Sequence, residues 1–347
     1  MKARIIPILL MAALLCLLLR SPAAHAGNRC GPFVGGQQVS LGSAGSLDVA
    51  ARPIGVEAPG GLYCNRDGFA LYGKDWIRVQ LDSDGGGALV NDQTGDRIPF
   101  RIFTANDGQP LSVGQPFDLT QFKWIGSKAD AMDFPLYFRT TPTLDSIPAG
   151  TYTADVLTRW FWQICPGVQV VQACTAWGGW DRSKGLRGLC LTGCSGVIDW
   201  GQGEVATLIL RLTVINQCEM STPDLNFGSA ALVDSFAPVS GFVSVRCTKQ
   251  ATYSVGMSAG SSPGGATRRM RKGSEYIAYE LYKSTAGTER WGDQGSERRK
   301  SGDADYGPNL LDGTTPQVFM YRGVILPNQP TPSAGTYTDS VQVDVKF

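Results

Sequence analysis

Histidine is almost absent: the 347 residues contain one, His25. If it leaves with an amino-terminal leader, no Ser-His-Asp or Cys-His centre can form. Zinc would then have to be held by thiolates alone, so no metal is expected. Long apolar runs are missing too, since nothing after Ile5 to Leu19 approaches the ~20 residues that span a bilayer. An excess of charge of one sign is also lacking, with 31 Lys and Arg against 30 Asp and Glu. Removing Lys2, Arg4 and Arg20 tips the balance slightly acidic, which gives no reason to expect a nucleic-acid partner. The basic clusters Arg268, Arg269, Arg271, Lys272 and Arg298, Arg299, Lys300 read as solvated loops.

What is present begins with a leader. Lys2 and Arg4 precede the apolar run, and Ala24-His25-Ala26 has the small-x-small form of a cleavage site, so residues 1–26 are read as a secretory signal peptide. A retained membrane anchor is the alternative. Cys16 lies in this segment; the other eight cysteines are an even set suited to an oxidising compartment and to four disulfides. Cys30 and Cys64, and Cys218 and Cys247, are the expected staples. Cys165, Cys174, Cys190 and Cys194 admit three pairings, and sequence does not choose among them. With 43 Gly, 20 Pro and short alternating strands between turn signals, the fold class is all-β.

In the first part of the chain, strands are expected at 41–50, 62–64, 76–81, 97–104 and 135–139, and Ala149-Gly-Thr-Tyr-Thr opens another. Asp82-Ser-Asp-Gly-Gly-Gly lacks the further ligands and terminal Glu of an EF-hand and reads as a hairpin turn. Between Trp160 and Trp200 lie five of the eight Trp and four Cys, a loop region that cross-links would hold in shape. Glu204 to Asn216 is then a long buried strand, with Leu208, Leu210, Leu212 and Val214 alternating. Past Cys218 come short strands around 227–228, 241–245, 247–248, 253–257, 276–282 and 318–324. The last runs from Ser333 to Phe347, with Val341, Val343, Val345 and Phe347 on one face.

The two parts share an order of features: an early Cys pair, a Tyr-Arg region, then AGTYT at Ala149–Thr153 and at Ala334–Thr338. This predicts two immunoglobulin-like β-sandwich domains, residues 27–217 and 218–347. After the first AGTYT comes a further strand; after the second, none. The second sandwich is therefore expected to be incomplete, short by about 10 kcal/mol of apolar burial, and completed by a strand donated from another chain.

Cys218, Phe227-Gly228, Cys247-Thr248, Arg269-Met270, Tyr279 to Tyr282, Trp291-Gly292, Gly323, Ala334 to Tyr337 and Asp339 to Val343 together resemble the spore coat protein U family. That family includes subunits of archaic, Csu-type chaperone-usher pili, and the two-domain layout resembles their tip adhesins. The resemblance implies a periplasmic chaperone, an outer-membrane usher and a neighbouring pilin subunit that donates a strand. It also implies a place at the pilus tip on the cell surface, adhesion to abiotic or host surfaces, and biofilm formation. Val341, Val343, Val345 and Phe347 would line the acceptor groove and meet the chaperone.

If the strand from Glu204 pairs antiparallel with the one from Ala149, the intervening loops sit at the pole distal to residues 218–347. Trp177, Trp180, Leu186, Leu189, Leu191, Val197, Ile198 and Trp200 are the candidate surface-binding patch there. A secreted carbohydrate-binding module or a spore or cell-coat structural protein is the alternative function. No cofactor and no catalysis are expected. Carboxylate pairs are the remaining chemical route, and Asp312-Gly313-Thr314 is a single tripeptide resembling an aspartic-protease loop.

Overall fold

The computed structural model describes residues 30–347 except 34, 65–68, 107, 128–131, 172, 176–178, 191–193 and 266. The leader, Trp177 and Leu191 therefore lie outside the described residues, as do the side chains of Cys190 and Cys194. The chain is all-β, built as two immunoglobulin-like sandwiches.

In the first sandwich, Gly55–Cys64, Met132–Thr140, Arg97–Phe103 and Ala88–Val90 are neighbours in one layer, with Cys30–Pro32 on the outer edge. The other layer orders Gln37–Gly45, Glu204–Ile215, Gly150–Ile164 and Phe69–Ser83. Period-two alternation sends Tyr152, Val156, Leu208, Leu210 and Leu212 into the space between the layers, where they are fully buried. Toward the far end a second cluster around Trp160, Trp162, Ile77 and Phe134 continues the core. Three disulfides are found among the described residues: Cys30–Cys64, Cys165–Cys174 and Cys218–Cys247. Cys190 and Cys194 stand opposite each other in the register of the hairpin formed by Arg187–Cys190 and Cys194–Asp199.

Several local expectations are corrected. Residues 46–51 are not strand but a short helix, Ser46–Ala51, buried through Leu47 and Val49. Its first-turn amides of Leu47 and Asp48 donate to the Gln217 side chain at 3.1 and 3.2 Å. This bond spans some 170 residues, and no local pattern reveals it. The Asp82–Gly87 turn does not close a hairpin: it carries the chain between layers, because Phe69–Ser83 pairs with Gly150–Ile164 and Ala88–Val90 with Arg97–Phe103. Gly85, Gly86 and Gly87 all have positive φ there, open only to glycine at low cost.

The second sandwich sets Cys218–Ser221, Val239–Cys247, Gln317–Ile325, Glu275–Tyr282 and Arg268–Lys272 against Arg299–Lys300, Ser254–Met257 and Val343–Lys346. Regular strand at the end of the chain is confined to those last four residues; upstream, Thr338 makes one bridge, to Arg271. Phe227-Gly228 is loop rather than strand.

The basic clusters lie mostly in strands and are only partly solvated: Arg271 and Lys300 are exposed, but Arg268 and Arg299 are buried. Arg268 is wholly buried, donating to Met257 O at 2.8 Å and Trp291 O at 2.7 Å and pairing with buried Glu280, which also accepts from Arg290 at 3.0 Å. Burial pulls the Arg268 guanidinium below its ordinary pKa, against Glu280, which raises it. Arg299 lies over the rings of Trp291 and Phe319 and pairs with Asp305 at 3.1 Å, while Arg298 holds Asp344 at 2.6 Å. A run of cations looks solvent-facing in one dimension; the carboxylates and carbonyls that let it be buried come from elsewhere in the chain.

Between the sandwiches there is no flexible linker. The Gln217 amide donates to the Thr248 hydroxyl at 2.7 Å, that hydroxyl lies 2.6 Å from Ser46 Oγ, and Lys249 Nζ reaches Asp96 at 2.9 Å. Gly313 packs so closely on Ser146 that a Cβ would lie 2.5 Å from it.

Candidate functional site

The ladder between Gly150–Ile164 and Glu204–Ile215 is antiparallel, with Gly150 opposite Val214 and Trp160 opposite Glu204. At about 3.3 Å per residue, Ile164 therefore lies roughly 45 Å from the junction with the second sandwich. The strand Phe69–Ser83 reaches further still, because Trp76 is already opposite Gln163. Its first residues overshoot the sheet and form a small cap with Gln121–Ser127 and Gln169–Val170.

This cap inverts the usual arrangement. Leu71, Tyr72, Phe122, Val168, Val170 and Val171 are each 40 % or more exposed, with the Tyr72 and Phe122 rings 5.3 Å apart edge to face. Beneath them, beside buried Trp162 and Ile164, polar side chains tie the loops down. Asp75 accepts from the Cys165 amide at 3.1 Å, Gln169 donates to Lys74 O at 3.0 Å, and Gln163 accepts from Arg182 at 2.9 Å. Asp181 accepts from the Cys30 amide at 2.7 Å, and the Ser183 hydroxyl from the Trp162 amide at 3.2 Å. Loops tied down by buried hydrogen bonds need no apolar core of their own, so their apolar side chains are left to face water. Tyr72 and Val171 both have positive φ, 62° and 48°, costly for an aromatic and a β-branched residue. The Val171 amide donates to Leu71 O at 2.8 Å, which fixes the two relative to each other.

The residues expected to form the patch divide. Leu189 and Ile198 are exposed and Val197 is half-buried. Leu186 is buried, so it supports its loop from within and leaves the candidate surface. Trp180 is half-buried against Trp76 at 5.5 Å, and Trp200 is half-buried against Phe161, with the Arg78 guanidinium 4.0 Å over its ring. Both indoles are thus occupied in packing. Leu71, Tyr72, Phe122 and Val171 escaped sequence reading because no long alternation marks them; the signal that existed was Val168, Val170 and Val171 within a short loop bounded by Cys165 and Cys174.

At the other end of the molecule, Val343–Lys346 pairs along one edge with Ser254–Met257 and meets no strand on its other edge among the described residues. Among the described residues Cys218–Ser221 pairs only with Val239–Cys247. Between these two edges Val341, Val343 and Val345 are half-buried, Met220 is exposed though it stands opposite buried Val245, and Phe347 is 58 % exposed. Among the described residues, no three His, Cys, Asp or Glu are grouped to hold a metal ion.

Residues 204–344 match the family model of the Spore Coat Protein U domain. That stretch is similar to the Spore Coat Protein U domain. Nearly the whole chain is also similar to a chain in the CsuC-CsuE chaperone-tip adhesion subunit pre-assembly complex from archaic chaperone-usher Csu pili of Acinetobacter baumannii. That match has a TM-score of 0.68 and 26 % identity, covering 92 % of this chain and 100 % of the other. The CupB6 tip adhesin from Pseudomonas aeruginosa matches at 13 % identity over 84 % of this chain and 85 % of its own, and its TM-score of 0.28 gives it no weight. No curated protein sequence matches.

Within the matched residues the separated sequence motifs converge. Phe227 packs on Tyr279 at 5.8 Å, and Gly323 leaves room for it, since a Cβ there would lie 2.5 Å from Leu225 and 3.1 Å from the Phe227 ring. Trp291 is fully buried and donates to Val255 O at 3.0 Å. Asp339 accepts from the Tyr279 hydroxyl at 2.6 Å; burial first, then this carboxylate, drives the phenol well above its ordinary range. Glycine, aromatic and acid in these motifs serve the interior of the domain.

Proposed function

We propose that this chain is the tip subunit of an archaic chaperone-usher pilus, with the distal cap of the first sandwich as its adhesive surface and the second sandwich as the unit that joins the pilus. The observation that carries this reading is the bare edge of Val343–Lys346, beside half-buried Val341, Val343 and Val345. Its likeness to a chaperone-tip adhesion subunit complex supports it. Such an edge takes a strand from another chain, first from a periplasmic chaperone and then, after passage through an outer-membrane usher, from a neighbouring subunit. The unit boundary at Gln217–Cys218 and location at the pilus tip outside the cell belong to the same proposal.

At the distal end, an exposed apolar cap suits adsorption to apolar surfaces, and through that biofilm formation. Val341, Val343, Val345 and Phe347 are the proposed groove and chaperone contacts. Leu71, Tyr72, Phe122, Val170 and Val171, with Leu189 and Ile198, are the proposed contact surface.

Expressing residues 218–347 alone tests the assembly half: instability rescued by a donor peptide or periplasmic chaperone is expected, and a soluble, cooperatively folding monomer refutes it. Leu71→Ser with Val171→Ser tests the adhesive half in cells displaying assembled pili. Retention on polystyrene should fall at least tenfold, and unchanged retention refutes the assignment.

A further inference from the structure

The Spore Coat Protein U match begins at Glu204, one strand before Cys218. That strand, Glu204–Ile215, is by its pairing a member of the first sandwich. It runs antiparallel to Gly150–Ile164 and parallel to Gln37–Gly45, filling the space between these two edges with Leu208, Leu210, Leu212 and Val214. In the second sandwich the corresponding position, along the open edge of Val343–Lys346, holds no strand among the described residues.

We infer that Glu204–Ile215 is a donor strand already delivered within the chain: it belongs by sequence to the second unit, completes the first, and has the side-chain pattern that fits the bare edge of the second. This rests on the acceptor-groove reading above and adds the identity, direction and register of a fitting strand.

The register follows from two matching corners. Tyr152 donates to Pro148 O at 2.8 Å and Tyr337 to Ser333 O at 2.9 Å, and the preceding Gly150 and Gly335 have φ of 151° and 154°. Superposed on these tyrosines, Val156, Thr158 and Trp160 correspond to Val341, Val343 and Val345. Their partners in the first sandwich are Leu208, Ala206 and Glu204. A copy of the segment on the second sandwich therefore places Leu208 opposite Val341 and Ala206 opposite Val343, antiparallel to the terminal strand. A slip of one residue would turn its leucines to water.

The test appends a second copy of residues 204–215 to Phe347 of the full chain through a short Gly-Ser turn, the hairpin geometry an antiparallel strand requires. Three tails are compared: the native segment, its reversed sequence, and the segment with Leu208→Asp and Leu210→Asp. The native tail should raise the melting temperature of the second sandwich by about 10 °C or more and block uptake of a labelled copy of the same peptide. The other two should do neither. Stabilisation by the reversed tail but not the native one overturns the inference and leaves the groove standing. No stabilisation by any tail overturns the inference and the groove together.

Discussion

The two AGTYT strands start alike and end in opposite conditions. Tyr152 and Tyr337 make the same hydrogen bond four residues back, from backbones of the same shape. Beyond that, Val156, Thr158, Trp160 and Trp162 are fully buried, whereas Val341, Val343 and Val345 are half-buried and Phe347 is exposed. The difference is the neighbour: Glu204–Ile215 covers the first strand and nothing among the described residues covers the second. Burial of one β-strand face thus depends on the strand beside it as much as on its own alternation.

Opposite halves of this pair should respond very differently to the same insult. Leu210→Asp puts an unpaired carboxylate into the completed core and should cost about 4 kcal/mol or more, read as a lower urea midpoint for the first sandwich. Val343→Asp should change stability by less than about 1 kcal/mol in the chain alone while abolishing donor-peptide binding. Equal losses from the two would break the comparison.

The second core differs again in burying charge. Glu280→Gln leaves Arg268 buried without its partner and should cost about 3 kcal/mol in the second sandwich, with the first unaffected in a two-transition melt. A smaller contrast is expected at the corners. Tyr152→Phe should cost about 1–2 kcal/mol, because Pro148 O loses a buried donor and the phenol there is held at about 12, chiefly by burial. Tyr337→Phe should cost under about 1 kcal/mol, since water reaches its partner.

The smallest effect concerns the joint. Burial opposes ionisation of Asp96, but Lys249 and Thr94 outweigh it and hold the carboxyl below its ordinary value of 3.8. A depressed folded value contributes stability above the unfolded one and loses it as pH falls through the folded one. The joint should therefore loosen below about pH 3.8, seen as a wider distribution of inter-sandwich distances by spin labels, and Asp96→Asn should remove that pH dependence.

Much of this organisation was legible in the residues. Strict alternation in Leu208 to Val214 gave a buried strand, AGTYT gave the repeat, and the order of Cys218, Phe227-Gly228, Trp291-Gly292 and Gly323 gave the family resemblance. The antiparallel pairing of Gly150–Ile164 with Glu204–Ile215 was legible too, but which side chains beyond it are exposed was not. Tryptophans carry the most apolar area, and that area is what makes Trp180 and Trp200 useful for packing on Trp76, Phe161 and Arg78. Smaller residues on the overshooting strand were left outside. Arg268 and Arg299 failed for a related reason: a charge looks exposed until its partners are known.

Sequence by itself determined what each segment does locally, where strands alternate and which turns need glycine, since these depend on residues within a few positions of one another. Tertiary structure alone decided which apolar groups face water. That choice depends on Glu204–Ile215 covering one strand and nothing among the described residues covering another, and on Asp75, Gln163 and Gln169 holding the cap from beneath. Burial is a property of neighbours brought together across a hundred residues or more, and no local pattern encodes it.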